Sequence, residues 1–544
     1  MGFPYFISYL PTLLLSAMYS IFMWRLCQRH MDCGVKERFQ FFIWSMMYLV
    51  VMKGSFLIEY STSPDEHQWI FSARAFAKNP GFWFQEYFPF EVGRSLTVIP
   101  LGIMAWIVGD LSFVHARILF IVLFGVNLVL MYAILRKRFT DRATIAALTW
   151  LVLLYCMTTY VDYASYNSEM PALFFIILSL WCLLKMRDDV TNFRLGFQVL
   201  FFSVCIPFAK EQALYLALFL WLCGAWLLVR HRHWMLILIY IAISVLSAGL
   251  LFSPLIYFGT VDVFLQNCLI TLQYQSNGFG MAEKDLVNVF FIVHFLKLIF
   301  LNAMWFFPFL FLMFFLISWV RKNGFSLGKL QSNDAMDGMI LLLTLVVLMT
   351  IYLPRNGIKH YCIFLIPVVV WSIARVYQRY HAKRWIAIGM WVLPFTIGID
   401  ANFRKEIFPV RGYRRPEEVF SKDVAFQGMK QHVPKGSKVM IWGWANHYYN
   451  LFDCVRCSHF LYPQFAYGFY EEKAFVDQCY IDDLRNLKPD YIVQSVGEKC
   501  FYFDDSLKYD MANHHPEIKK ILNEDYSKIF HSGGVKIYRN RELE

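Results

Sequence analysis

The sequence predicts a polytopic α-helical membrane protein of about twelve spans with interfacial helices, followed by a C-terminal α/β domain outside the membrane. Three observations predict it. The 544 residues are 58% hydrophobic and 19% aromatic but only 17% charged, a balance foreign to soluble domains. Apolar segments recur at a length matched to a bilayer, whose ~30 Å hydrocarbon core takes about 20 residues per helix. Near Ala401 the composition changes abruptly to that of a soluble chain. The apolar segments run at 3–24, 39–58, 115–135, 143–161, 170–184, 195–209, 213–229, 234–256, 300–320, 337–353, 361–374 and 385–399, and the stretch 195–229 admits another division. The N-terminus lacks a basic n-region and a small-residue cleavage site, so no cleavable signal peptide is expected.

Orientation follows from Lys and Arg, which collect in short cytoplasmic loops. Loops 25–38, 136–142, 185–194, 230–232, 321–329 and 375–384 hold 20 of them, whereas the alternate set, 60–114, 162–169, 210–212, 257–299 and 354–360, holds 8 in a longer total. The first set therefore faces the cytoplasm, and both termini face outward. The net charge of +11 is largely this inner belt, so no nucleic-acid partner is expected.

Chemistry collects on the outer side. Loop 60–114 carries Asp65, Glu66, Arg74, Lys78, Glu86, Glu91 and Arg94 among many aromatic residues, and loop 257–299 carries Asp262, Glu283, Lys284 and Asp285. Both read as amphipathic helices at the interface, where Trp and Tyr are favoured; Leu96 to Val108 reads alternatively as a short span. Three shorter connections bring Glu169 at a helix start, Lys210-Glu211-Gln212 inside an apolar hairpin, and Arg355, Lys359, His360 and Tyr361. Ionisable groups this close to the hydrocarbon are a functional hypothesis by default. Each also has a plainer reading: Asp65 and Glu169 as helix caps, Lys210, Arg355 and Lys359 as snorkelling anchors, and His360 as a structural histidine.

The tail, 401–544, is long enough to bury its own core. A basic linker (Arg411 to Pro416) leads to a helix ending near Gln431. Strands are expected at Lys438 to Gly443, Asp490 to Val496 and Val535 to Tyr538, with a further helix at Ile481 to Leu487. Trp442, Trp444, His447, Tyr448 and Tyr449 read either as a platform for sugar rings or as a core strand with its turn. Cys454, Cys457, Cys479 and Cys500 form an even set in this outer domain, which suggests one or two disulfides. Cys454 and Cys457 also have the spacing of half a zinc site, but no second pair follows.

The ordered outward features resemble the GT-C superfamily of membrane glycosyltransferases that use polyprenyl-phosphate sugars, including lipid A aminoarabinose transferases and protein O-mannosyltransferases. The residues that carry the resemblance are Pro64-Asp65-Glu66, the interfacial stretch to Arg117, the basic turn Arg136 to Arg142, Glu169, Ala209-Lys210, the second long outer loop, and His360-Tyr361 followed by Pro367. It covers roughly 39–400, with 1–38 as an extra N-terminal helix and inner loop. The resemblance implies transfer of a sugar, with inversion, from a polyprenyl-phosphate donor to a cell-envelope glycan or lipid at the periplasmic face of a bacterial inner membrane. It implies Asp65 as the base, with Glu66 beside it and Glu169 as a second acid. Lys210, Arg355 and Lys359 are then phosphate ligands, and His360 a hydrogen-bond donor. Arg74, Arg94 and Tyr361 complete the set as substrate-binding candidates. No cofactor is required, and a divalent metal is admissible because some relatives use one. Where some relatives place an Arg three positions after the Asp, this chain has Gln68, so phosphate contacts must come from elsewhere. Besides donor, acceptor and membrane lipids, an envelope-assembly protein is a possible partner of the first helix. An O-antigen ligase or polymerase, a lipid or glycan transporter, and a non-enzymatic assembly protein stay open. A transporter should show paired halves with broken helices, which this sequence lacks.

Overall fold

The computed structural model describes residues 3–29, 33–58, 64–91, 94–157, 163, 165–190, 192–276, 303–323, 335–353, 359–380, 420–461, 463–467, 472–497, 500 and 503–543. Eleven of the twelve apolar segments fall on helices; the twelfth, 385–399, lies outside the described residues. Among the described residues five helices are long and apolar enough to cross a membrane: Phe113–Arg136, Glu169–Asp188, Glu211–Arg230, Trp234–Phe258 and His360–Tyr380. The chain is a multi-pass helical membrane protein. Leu96 to Val108 lies on a helix, Ser95–Val108, which ends at Gly109 with φ 78°, a left-handed conformation that a residue without Cβ adopts at low cost.

The chain divides into two units. The first comprises 1–58, 117–251 and 286–412 and is a helical bundle. Within it Asp141–Met157 packs against Ile366–Tyr380 and Glu169–Asp188 against Phe193–Ala209, and Ala147, Leu148, Ile177, Leu180, Val369 and Ile373 are all nearly inaccessible. Leu, Ile and Val that face outward on Trp234–Phe258 stay exposed, as they would beside lipid tails. Asp141, fully buried, ties three helices together: it accepts from Arg38 Nη2 at 3.1 Å, meets Arg136 Nε at 2.7 Å and accepts from Tyr132. Basic residues expected on the inner side thus serve as helix staples as well as topology signals.

The second unit comprises 59–116, 252–285 and 413–544, so the first long loop expected outside and 257–285 of the second group with the tail. Its sheet has the order β2-β1-β3-β5-β4, with β1 Lys438–Trp442, β2 Val455–Arg456, β3 Tyr491–Ser495, β4 Tyr526–Ser532 and β5 Val535–Asn540. β1 pairs in parallel with β2 and β3, while β3–β5 and β4–β5 are antiparallel. β3 is buried along its whole length, which fits a central strand covered on both faces. Gly443, at φ 141°, lets β1 leave beside β3, where a Cβ would strike the Ser495 carbonyl oxygen. Ile270, from the second loop, joins Met440, Trp442, Ile492 and Val496 in one core. Trp442, Tyr448 and Tyr449 are buried in this packing, so the core reading holds for them and only Trp444 and His447 keep partial exposure.

The expected disulfides are not formed. Cys454, Cys457, Cys479 and Cys500 are all free thiols, because each is taken up locally rather than brought to a partner sulfur. The Cys454 and Cys457 thiols donate to the carbonyls of Phe452 and Leu487, Cys479 lies in the core, and Cys500 meets Ser495 Oγ at 3.6 Å.

Candidate functional site

In the helical unit, the sequence places charge where helices break. Helix Phe193–Ala209 stops at Lys210, whose backbone is extended, and Glu211–Ala213 makes one tight turn before Leu214–Arg230 begins. Glu169 occupies the first turn of Glu169–Asp188, with Pro171 behind it. That position favours a carboxylate, because the unpaired N–H groups of a helix start carry partial positive charge. His360 and Tyr361 sit on the turn Lys359–Leu365 that feeds Ile366–Tyr380.

These breaks converge. Lys210 Nζ lies 2.8 Å from Glu169 Oε1 and donates to Ser168 Oγ at 3.0 Å. His360 Nε2 stands 3.6 Å from the same carboxylate oxygen. The Lys210 ammonium also lies 5.2 Å from the centre of the Tyr361 ring, and the Tyr361 hydroxyl accepts from Gln212 Nε2 at 2.7 Å. Glu169 is 1% exposed, and Lys210 and His360 are each 6% exposed. A carboxylate and an ammonium removed from water each forfeit several kcal/mol of hydration, so they persist only as a close, hydrogen-bonded pair. The structure therefore brings Glu169, Lys210, His360 and Tyr361 together, with Ser168 and Gln212 beside them. Arg355 and the Lys359 side chain lie outside the described residues.

The other candidates belong to the second unit. Asp65 and Glu66 open helix Pro64–Lys78. Neighbouring helical positions point about 100° apart; Glu66 is buried at 1% exposure, and Asp65 remains half-buried. Of the two, Asp65 is the more exposed. Arg74 is engaged by Asp110, at 2.8 Å, and by the Leu111 carbonyl. The Arg94 guanidinium lies 5.3 Å from the Trp69 ring centre.

Two clusters of the second unit escaped the sequence reading. Arg456 donates to Glu91 Oε1 at 3.1 Å and to the Ser458 carbonyl, lies over the Tyr87 ring, and its own carbonyl accepts from the Tyr87 hydroxyl. Burial pushes the Glu91 carboxyl up, and Arg456 and Ser72 offset part of that rise. His459 is held between Asp483, at Nδ1, and Glu86, 3.3 Å from Nε2. Burial alone would lower its pKa, but the two carboxylates outweigh burial and hold it at about 9. No local pattern marks these clusters, since Glu91 and Arg456, and Glu86 and His459, lie hundreds of residues apart. Among the described residues no group of three or more His, Cys, Asp or Glu side chains is placed to hold a metal ion.

No family model and no curated protein matches the chain. Among solved structures it is similar to the archaeal oligosaccharyltransferase AglB from Archaeoglobus fulgidus, determined in complex with an inhibitory peptide and a dolichol-phosphate. That similarity has 10% identity and a TM-score of 0.48, and it covers 93% of this chain and 74% of that one. At this identity and score the likeness carries neither fold nor activity to this chain.

Proposed function

We propose that the protein is an integral-membrane glycosyltransferase of the GT-C type, moving one sugar from a polyprenyl-phosphate donor to a cell-envelope glycan or lipid at the periplasmic face of a bacterial inner membrane. The observation that carries the reading is the buried Glu169, Lys210, His360 and Tyr361 cluster at breaks between apolar helices. A leaving polyprenyl phosphate brings negative charge to the edge of the hydrocarbon, and a fixed ammonium beside a histidine is suited to receive it. Glu169 orients that ammonium before the donor arrives. Arg355 and Lys359 would add positive charge at the same connection.

In the reaction an acceptor hydroxyl oxygen attacks the anomeric carbon, the bond from that carbon to the phosphate oxygen breaks, and the configuration inverts. The electron pair leaves with the phosphate, and Asp65 takes the hydroxyl proton. The half-buried position of Asp65 beside the shielded Glu66 supports this assignment. Arg74, held by Asp110, and Arg94, beside Trp69, would bind substrate together with Tyr361. No step requires a cofactor, and a divalent metal at the phosphate remains compatible.

The same cluster favours one other reading, proton-coupled transport of a lipid or glycan, because carboxylate, lysine and histidine side chains inside a membrane also form proton relays. Transfer of radiolabelled sugar from polyprenyl-phosphate donors to envelope acceptors separates the two. Membranes carrying the wild-type chain should transfer label, and Asp65→Asn should lose about 100-fold or more, the scale of general-base catalysis, at unchanged expression. Full transfer by Asp65→Asn removes Asp65 as base; no transfer by wild type with any donor tested favours the transporter or a ligase.

A further inference from the structure

We infer that Asn450, in the tail, is a positioning residue for the helix start that carries Asp65, so that the soluble sheet domain sets the geometry of the catalytic carboxylate. The inference rests on the glycosyltransferase reading for its catalytic part only. His67, two residues after Asp65, is fully buried. Asn450 Nδ2 donates to the His67 carbonyl at 2.9 Å and approaches His67 Nδ1 at 3.2 Å. The carbonyl can only accept, so this contact fixes which end of the Asn450 amide faces His67. His67 Nδ1 then accepts as well, which leaves the ring proton on Nε2.

The grip is on both backbone and ring, which is what positioning requires. A His67 carbonyl tied to Asn450 holds the first turn of Pro64–Lys78, and therefore the Asp65 Cα, against the short helix His447–Leu451. The ring is fixed from two further sides: Phe113 meets it edge-on at 4.7 Å and His447 lies 5.7 Å away. His447 is itself stacked on Phe420 at 4.9 Å. One turn further along, Phe71 packs on Tyr449 at 5.1 Å, and Tyr449 is anchored in the sheet by accepting from the Ile441 N–H. A rigid path of contacts thus runs from β1 through 447–451 to the residues beside Asp65. Misplacing a reacting group by about 1 Å costs on the order of 100-fold in rate.

The test compares full-length wild type with Asn450→Leu, which keeps the size and removes the donor, in detergent or nanodiscs. Amide hydrogen exchange of residues 66–72 should speed up by about tenfold, the scale of one lost hydrogen bond, while that of β3 stays unchanged. In the transfer assay kcat should fall about tenfold or more, with the KM for the polyprenyl-phosphate donor unchanged. If Asn450→Leu does not fold, Asn450→Asp serves, since it places a carboxylate against the His67 carbonyl. Unchanged exchange at 66–72 overturns the inference whatever the transfer result. If exchange changes locally but wild type transfers no sugar, the coupling stands and the enzymatic reading falls. A rise in donor KM at unchanged kcat also overturns it, because that would make Asn450 part of substrate binding.

Discussion

Breaking one half of the Glu169–Lys210 pair should cost more than removing both halves. Lys210→Met leaves a carboxylate at 1% exposure without its ammonium, and an uncompensated buried charge costs about 3–5 kcal/mol. The double variant Lys210→Met, Glu169→Leu replaces the pair with apolar groups of similar size and should regain most of that loss in thermal unfolding of the detergent-solubilised protein. Equal losses in single and double variants would show that the pair is not coupled. Sugar transfer should stay low in both, because the double variant restores packing but no cation for the leaving phosphate. The charged members of this cluster were legible in the sequence, since a Lys or Glu interrupting an apolar run is conspicuous. Ser168 and Gln212 were not, because a polar residue beside a helix end has many ordinary uses. Asp65 and Glu66 were equally conspicuous as a pair, but only the fold distinguishes them, by burying one and leaving the other half-buried.

At the scale of elements, His459 is one of the points where segment 80–91 is tied to the tail, through Glu86 on one ring nitrogen and Asp483 on the other. The folded state holds its proton up to about pH 9, above the ordinary 6.5. A group that binds its proton more tightly when folded stabilises fully below its unfolded pKa and loses that contribution as pH rises through the folded one. Stability of the second unit should therefore decline between about pH 6.5 and 9. His447 gives the opposite limb: burial, only partly offset by Asp423, holds it down to about 4, so its contribution is present above pH 6.5 and is lost as pH falls through 4. Thermal unfolding across pH 4–10 should show a maximum near neutrality, and His459→Gln should flatten the alkaline side alone. An unchanged alkaline limb in that variant would remove His459 as its source. Strands β1, β3 and β5 were readable as apolar runs between turn residues. β2 is two residues long and β4 alternates only weakly, with its single buried residue at its start, so neither shows the period that marks a strand. The disulfide expectation failed for a related reason: an even number of cysteines speaks of compartment, whereas pairing needs sulfurs brought face to face.

At the scale of the whole molecule, the span pattern and the charge asymmetry were legible because a bilayer imposes both on any sequence that crosses it. The grouping of 59–116 and 252–285 with the tail was not, since it depends on contacts such as Ile270 in the sheet core that no local composition encodes. That grouping sharpens the orientation prediction. If the basic loops face the cytoplasm, a unit built from two outer loops and the tail must lie wholly on the other side, and every exposed position in it should label from there. Leu507, 78% exposed in the tail, and Lys36, exposed at the start of Val35–Ile58 beside the first basic loop, are the two probes. In intact spheroplasts a membrane-impermeant maleimide should label Leu507→Cys above the wild-type background of mostly buried thiols. Lys36→Cys should label only after permeabilisation. The reverse pattern would put Asp65 and the sheet domain in the cytoplasm, away from envelope acceptors, and would remove the periplasmic assignment. Labelling of both without permeabilisation would mean that an odd number of the eleven apolar segments between them does not cross.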